Sequence, residues 1–182
     1  MNLRFATVLL ILIIFPSIGR ADHLPDSLQA RGRPETTLAR INLKGASITK
    51  IVRLYGKPTK EKRLEPSLPN SSGSIDYYWH RRGLNLHVQI EFAIEQPTWK
   101  PVVLVEVGVG SSRRISKTGA GIRLGDTLSD LRHVYGRRFH LRNIPKFKIH
   151  DVMIQWHREE YSLIATLDRH NRITSLSLVT PE

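Results

Sequence analysis

Between residues 41 and 110 the apolar positions first recur every three to four residues and then every second one. Ile48, Ile51, Val52 and Tyr55 fall at i, i+3, i+4 and i+7, so they line one face of a short helix. Ser47 supplies a side-chain cap for its first turn, while Gly56 and Pro58 stop it. Around Trp79, and then through Leu84, Leu86, Val88, Ile90 and Phe92, apolar residues alternate with Asn85, His87, Gln89 and Glu91, the mark of a sheet with one buried face. A valine-rich run over residues 101–109 predicts a further strand. A similar succession follows residue 121. Leu128, Leu131, Val134 and Tyr135 predict a second amphipathic helix opened by a capping-box pair, Thr127 with Asp130. Residues 152–158, 161–168 and 173–179 read as strands, the last two joined by a hairpin turn over residues 169–172.

The two stretches also share words. Gly45, Tyr55 and Gly56 superimpose on Gly125, Tyr135 and Gly136 at one constant offset, and Trp79-His80-Arg81 returns as Trp156-His157-Arg158. A recurrence of that kind sets architecture before any single residue is weighed. The expectation is an α+β fold of two tandem repeats, each a short helix packed on an antiparallel β-meander. Both helices are too short to persist without a sheet beneath them. Residues 41–110 form the first unit, 111–121 a linker and 122–182 the second unit. Residues 57–74, with Pro66, Pro69 and Gly73, read as a surface excursion, and residues 22–40, polar and without a sustained period, as a flexible leader.

The N-terminus changes the picture of compartment. Arg4 precedes an apolar run over residues 5–15, and Gly19 and Ala21 are small residues where a signal peptidase inspects the chain. Residues 1–21 are therefore read as a secretory signal peptide cut after Ala21, which places the protein in the periplasm or outside the cell. A retained anchor is the alternative, but the run is shorter than the roughly 20 residues that span a bilayer, and Pro16 breaks it. The chain has no cysteine. That removes thiolate catalysis, cysteine metal sites and a lipidated N-terminus, and leaves apolar packing to hold both units.

Charge narrows the partners. The net charge is +12, and much of the excess sits in residues 111–150, where ten Lys or Arg side chains face only Asp126 and Asp130. Such a field attracts acidic proteins, lipid headgroups or anionic polymers; in an exported protein, nucleic acid is not an expected partner. Arg137, Arg138, Arg142, Lys146 and Lys148, interleaved with Phe139, Leu141, Phe147 and Ile149, are the candidate anion-binding residues. An amphipathic segment whose apolar residues pack on the core, leaving a solvated basic face, explains the same pattern.

If Tyr77 and Trp79 face the helix, alternation sends Tyr78 and His80 to the opposite, open face, where His87, Gln89 and Glu91 join them. The Trp-His-Arg match places Gln155, His157, Ser162, Ile164 and Thr166 correspondingly in the second unit. Tyr78, His80, His87, Gln89, Gln155, His157 and Thr166 are thus candidate protein-binding residues, since rigid rings lose little entropy on binding. An ordinary solvated sheet face accounts for the same residues. His80 and His157 recur without the neighbouring ligands that build a metal site, so neither metal nor cofactor is expected. Gly119-Ala-Gly121 lacks the ending of a phosphate loop. No serine sits in a nucleophile elbow, and Glu91, Glu95 and Glu106 have no matched carboxylates in the second unit, so no catalytic residue is assigned.

A glycine, a Ser or Thr cap, a short helix ending in Tyr-Gly and then a Trp-containing strand resemble the SmpA/OmlA (BamE-like) domain. Two such units in tandem resemble the BLIP-like superfamily, named for the beta-lactamase inhibitory protein. The resemblance covers residues 41–179 and implies an exported, non-enzymatic protein that binds other proteins, with its helices on one face of the sheet and the other face available. The expected function is recognition of an envelope or secreted protein, an acidic one by the charge argument. Binding to an anionic envelope surface is the alternative, and an envelope hydrolase the third possibility.

Overall fold

The computed structural model describes residues 30, 33–66, 72–93, 101–144, 149–156 and 161–180. The chain begins with a small hairpin, β1 (Thr37–Leu38) and β2 (Ile41–Asn42), and a 3-10 turn (Leu43–Gly45). Helix α1 (Ile48–Tyr55) follows, then β3 (Lys60–Leu64), β4 (Ser72–Arg81), β5 (Leu84–Ala93) and β6 (Val102–Gly108). Helix α2 (Leu128–Tyr135) precedes β7 (His140–Ile144), β8 (Ile149–Gln155), β9 (Ser162–Leu167) and β10 (Ile173–Val179). The eight long strands form one sheet in the order β3-β4-β5-β6-β10-β9-β8-β7, every neighbouring pair antiparallel. The molecule is an α+β fold dominated by this sheet.

Both helices form where the capping chemistry puts them. The Ser47 side chain accepts from the Lys50 N–H at the start of α1, and Thr127 and Asp130 close a reciprocal capping box on α2. Each helix stops at a glycine with positive φ, +74° at Gly56 and +84° at Gly136, a conformation that disfavours any side chain. Trp79 Nε1 then donates to the Gly56 carbonyl across 2.8 Å, locking the end of α1 onto β4. Ile51 and Tyr55 from α1 and Leu131 from α2 enter one continuous core with Trp79, Leu86, Val88, Val105, Val107, Ile154, Leu163, Leu176 and Leu178. Val134, expected on the buried face of α2, is 40% exposed. The eight-residue helix buries Leu131 fully, while Leu128 and Tyr135 are partly buried against the core.

Two further expectations are corrected. The supposed surface excursion contains β3 and the start of β4, and the basic segment contains β7, so four strands rather than three follow each helix. β3 and β7 are the outer strands, exposed along nearly their whole length, and a strand without a buried face carries no alternation to read. The N-terminal segment is not a free leader over its described part. Leu38 and Ala39 are fully buried, the Ala30 N–H donates to the Gln155 carbonyl at 2.7 Å, and Tyr55 Oη donates to the Ala39 carbonyl. Glu35 is buried and acts as a hub, accepting from the N–H groups of Thr36, Thr37 and Ala120 and from Tyr135 Oη, all at 2.9–3.0 Å. The 111–121 linker is pinned by the same contacts, with Ser116 and Thr118 buried. Burial has pushed the Tyr135 hydroxyl far above its ordinary pKa; the Thr118 hydroxyl opposes the shift and Glu35 adds to it.

Two bulges interrupt the ladders. Val103 is an extra residue on β6 between the partners of Gln89 and Ile90, and Thr174 is an extra residue on β10 between the partners of Thr166 and Leu167. β6 and β10 meet along residues 104–108 and 175–179, with Glu106 opposite Ser177 at the middle of the register.

Candidate functional site

Strict alternation along β4, β5 and β6 sorts side chains between the two faces. Ile75, Trp79, Leu86, Val88, Ile90, Val105 and Val107 go to the core face. Asp76, Tyr78 and His80 stand on the other face opposite Gln89, His87 and Asn85, and Glu106 lies opposite His87 on the next strand. This confirms the facing predicted for Tyr78, His80, His87 and Gln89, and it brings two carboxylates to the same spot.

His87 is the centre of the cluster. Its Nε2 lies 3.1 Å from Asp76 Oδ1, and its Nδ1 lies 3.5 Å from Glu106 Oε2. Ser175 Oγ from β10 donates to the other Glu106 oxygen at 3.0 Å, tying the cluster to the far half of the sheet. Burial alone lowers the affinity of this imidazole for its second proton, but the hydrogen bonds and charges of Asp76 and Glu106 outweigh it and raise the pKa from 6.5 to about 9. At neutral pH His87 is an imidazolium, hydrogen-bonded to Asp76 and paired with Glu106.

The rings stack on this fixed point. Tyr78 lies parallel to His87, with centroids 4.6 Å apart and planes 7° apart, and His80 stacks on Tyr78 at 5.5 Å and 26°. The Lys60 ammonium stands 5.8 Å from the Tyr78 centroid. Burial, followed by the negative charge of Asp76 and Glu106, raises the pKa of the Tyr78 hydroxyl, which therefore stays a neutral donor. The arrangement is a preorganised column of three rings with a charged base. His87, at its centre, is held protonated at neutral pH and so does not serve as a general base there.

The second half of the face is different. Counting from the edge, Lys60 stands opposite Tyr78 while His140 stands opposite Met153, so Met153 and Ile164 hold the places that Tyr78 and His87 hold in the first half. The Trp-His-Arg match predicts other partners, and it is displaced by two residues. Trp79 lies inside β4, whereas Trp156 lies beyond the end of β8, edge-on to the Tyr135 ring at 5.8 Å. Gln155, expected to face a partner, is only 3% exposed, at the end of β8 where Ala30 pairs with Trp156; a buried amide offers a partner nothing. Thr166 does lie on the open face, where its hydroxyl donates to Asp151 Oδ1 at 2.9 Å. His157, Lys146 and Lys148 lie outside the described residues.

Of the remaining candidate anion contacts, Arg137 is exposed and Arg138 half-buried, and Arg142 is engaged by Asp151 at 3.0 Å. Phe139 packs against the core beneath the Arg132 guanidinium, so this part of the basic run is anchored as an amphipathic segment.

No protein-family model matches the chain, and no curated protein matches it. Among solved structures, it is similar to a DUF4309 family protein (YjgB) from Bacillus subtilis subsp. subtilis str. 168 at 10% sequence identity, covering 77% of this chain and 82% of that one with a TM-score of 0.45. A likeness of that degree carries no argument about function. Among the described residues, no group of three or more His, Asp or Glu side chains is placed to hold a metal ion, and no helix is long and apolar enough to cross a membrane.

Sequence reasoning did not single out Asp76 and did not join Glu106 to His87. Both were within reach of a parity count: Asp76 is two residues before Tyr78, and Glu106 sits at an open-face position of its strand. What parity cannot supply is the register that sets both beside one histidine.

Proposed function

We propose that this chain is an exported protein-binding module that recognises an envelope or secreted protein through the open face of its sheet. The observation that carries this reading is the His80–Tyr78–His87 column, fixed from below by Asp76 and Glu106. Rings already held in one conformation lose little freedom when a partner closes on them, which is how aromatic anchors at interfaces gain affinity. An enzymatic reading finds less support, since the histidine at the centre of the cluster is protonated and both its nitrogens are committed. The signal-like N-terminus supports export, and the positive net charge supports an acidic partner, whose approach it would steer.

The reading includes a duplicated architecture, α1 with β3–β6 and α2 with β7–β10, related by a pseudo-twofold axis. Three registers support it. The bulges at Val103 and Thr174 occupy corresponding places, and Lys60 and His140 open their strands at the same distance from Gly56 and Gly136. The β6–β10 pairing maps onto itself when residues 104–108 are exchanged with 175–179, with the axis at Glu106 and Ser177. The resemblance to BLIP-like and SmpA/OmlA domains belongs to the same proposal.

The test is capture of envelope proteins on the immobilised protein, with eluates identified by mass spectrometry. One discrete partner that survives high salt is expected. It should be lost with Tyr78→Ala plus His80→Ala and kept with Arg137→Glu plus Arg138→Glu. The opposite pattern, or capture of anionic lipid alone, would make the basic segment the site.

A further inference from the structure

The two edges of the eight-stranded sheet are built differently. β3 exposes Lys60, Glu61, Lys62 and Arg63 in succession, and Arg63 is held by Glu65 at 2.6 Å and lies 4.5 Å over the Phe92 ring. Consecutive long charged side chains are a common guard against strand addition, although Leu64 at the strand end is itself exposed. β7, His140–Ile144, carries no such guard. Its one formal charge, Arg142, is neutralised by Asp151 on the neighbouring strand. Asn143 is occupied with His150, and Leu141 is 44% exposed. Among the described residues, the outer side of β7 pairs with no strand.

The geometry points to β7 as a site of strand addition, taking an acidic extended segment of a partner protein as a ninth strand. Main-chain hydrogen bonds to the free edge would supply affinity, and alternate side chains specificity. Charge decides the occupant. Arg132 and Arg137, both exposed, and Arg138 lie just before the strand, in a chain of net charge +12. A second copy fits badly, because it would bring the same exposed Arg132 and Arg137 and a second basic chain of net charge +12 to this edge. An acidic strand meets the reverse situation. This surface is distinct from the open face, so it stands or falls independently of the ring column.

The experiment uses the purified protein and a synthetic nine-residue peptide alternating Glu and Val, with a control of the same sequence N-methylated on successive amides. Affinity is read by fluorescence anisotropy at low salt, and protection by hydrogen exchange. The unmodified peptide should bind and slow exchange in residues 140–144 while leaving residues 60–64 unchanged. The N-methylated peptide should bind at least tenfold more weakly, because it keeps the charge and loses the donors. Tyr78→Ala should leave peptide affinity unchanged. Equal affinity for both peptides would reduce the site to a charged patch, and protection of β3 instead of β7, or no binding at low salt, would overturn the proposal. So would protection of β7 that rises with protein concentration alone, since a second copy would then be the occupant.

Discussion

The two halves of the open face occupy the same lattice and carry opposite solutions. At corresponding register positions Tyr78, His87 and Glu106 face Met153, Ile164 and Ser177, while Asp76 is matched by Asp151. In the first half the aspartate is buried and bonded to an imidazolium. In the second it is bonded to Arg142 and Thr166, next to thioether and aliphatic surface. One sheet thus supports a fixed ionic-aromatic column and a softer apolar patch, and the difference lies in whether a histidine stands opposite Tyr78 or an isoleucine opposite Met153. A charge cluster of this kind is stable only when complete, whereas an apolar face tolerates exchange.

That contrast can be broken most forcefully at its centre. Replacing His87 by Ile, the residue of the second half, leaves Asp76 and Glu106 facing each other without a cation and is expected to destabilise the protein by about 3 kcal/mol in chemical denaturation. Adding Glu106→Ser to that variant should restore at least ~1 kcal/mol, because it removes one of the two stranded carboxylates; a purely additive result would show that the cluster is not coupled.

The second test is pH. His87 titrates at about 9 folded against 6.5 for an unperturbed imidazole. Its contribution is therefore complete below pH 6.5 and is lost as pH rises through 9. Wild-type stability should fall by about 3 kcal/mol between pH 6 and 10 relative to His87→Ile. Parallel pH profiles of the two proteins would remove the clamp from the account.

The closing tyrosines of the two helices sharpen the comparison on the other face. Tyr135 Oη donates to the buried Glu35 carboxylate, whereas Tyr55 Oη donates to the Ala39 carbonyl. Tyr135→Phe is expected to cost about 2 kcal/mol and Tyr55→Phe about 1, since hydrogen bonds to charged groups contribute more than those to neutral ones. Equal melting-temperature losses would refute the ranking. The smallest effect is expected at Arg142→Ala, below about 0.5 kcal/mol, because the arginine is mostly solvated.

Ser47, Gly56, Thr127, Asp130 and Gly136 act over one helical turn, and the alternation of residues 84–92 is enforced by one buried face. Such local rules made both helices, their caps and the facing of Tyr78 and His87 readable from the sequence. The edge strands were not, because solvent on both sides of Lys60–Leu64 and His140–Ile144 leaves no periodicity to detect. Glu35 was hidden for a different reason: its partners Ala120 and Tyr135 are 85 and 100 residues away. In the polar stretch before residue 41, nothing local distinguishes a carboxylate that will be buried from one that will be solvated.

By itself the sequence determined the helix and strand periods, the recurrence of Tyr-Gly stops, a basic cysteine-free chain and the ring-bearing side of the central strands, all consequences of short-range sterics and of one apolar face needing cover. Tertiary structure alone decided that both halves share a single sheet, that Trp156 lies two residues beyond the register place of Trp79, and that Asp76 and Glu106 meet at His87. Those outcomes depend on inter-strand register, which is fixed by the summed burial of many side chains and the hydrogen bonds between distant strands.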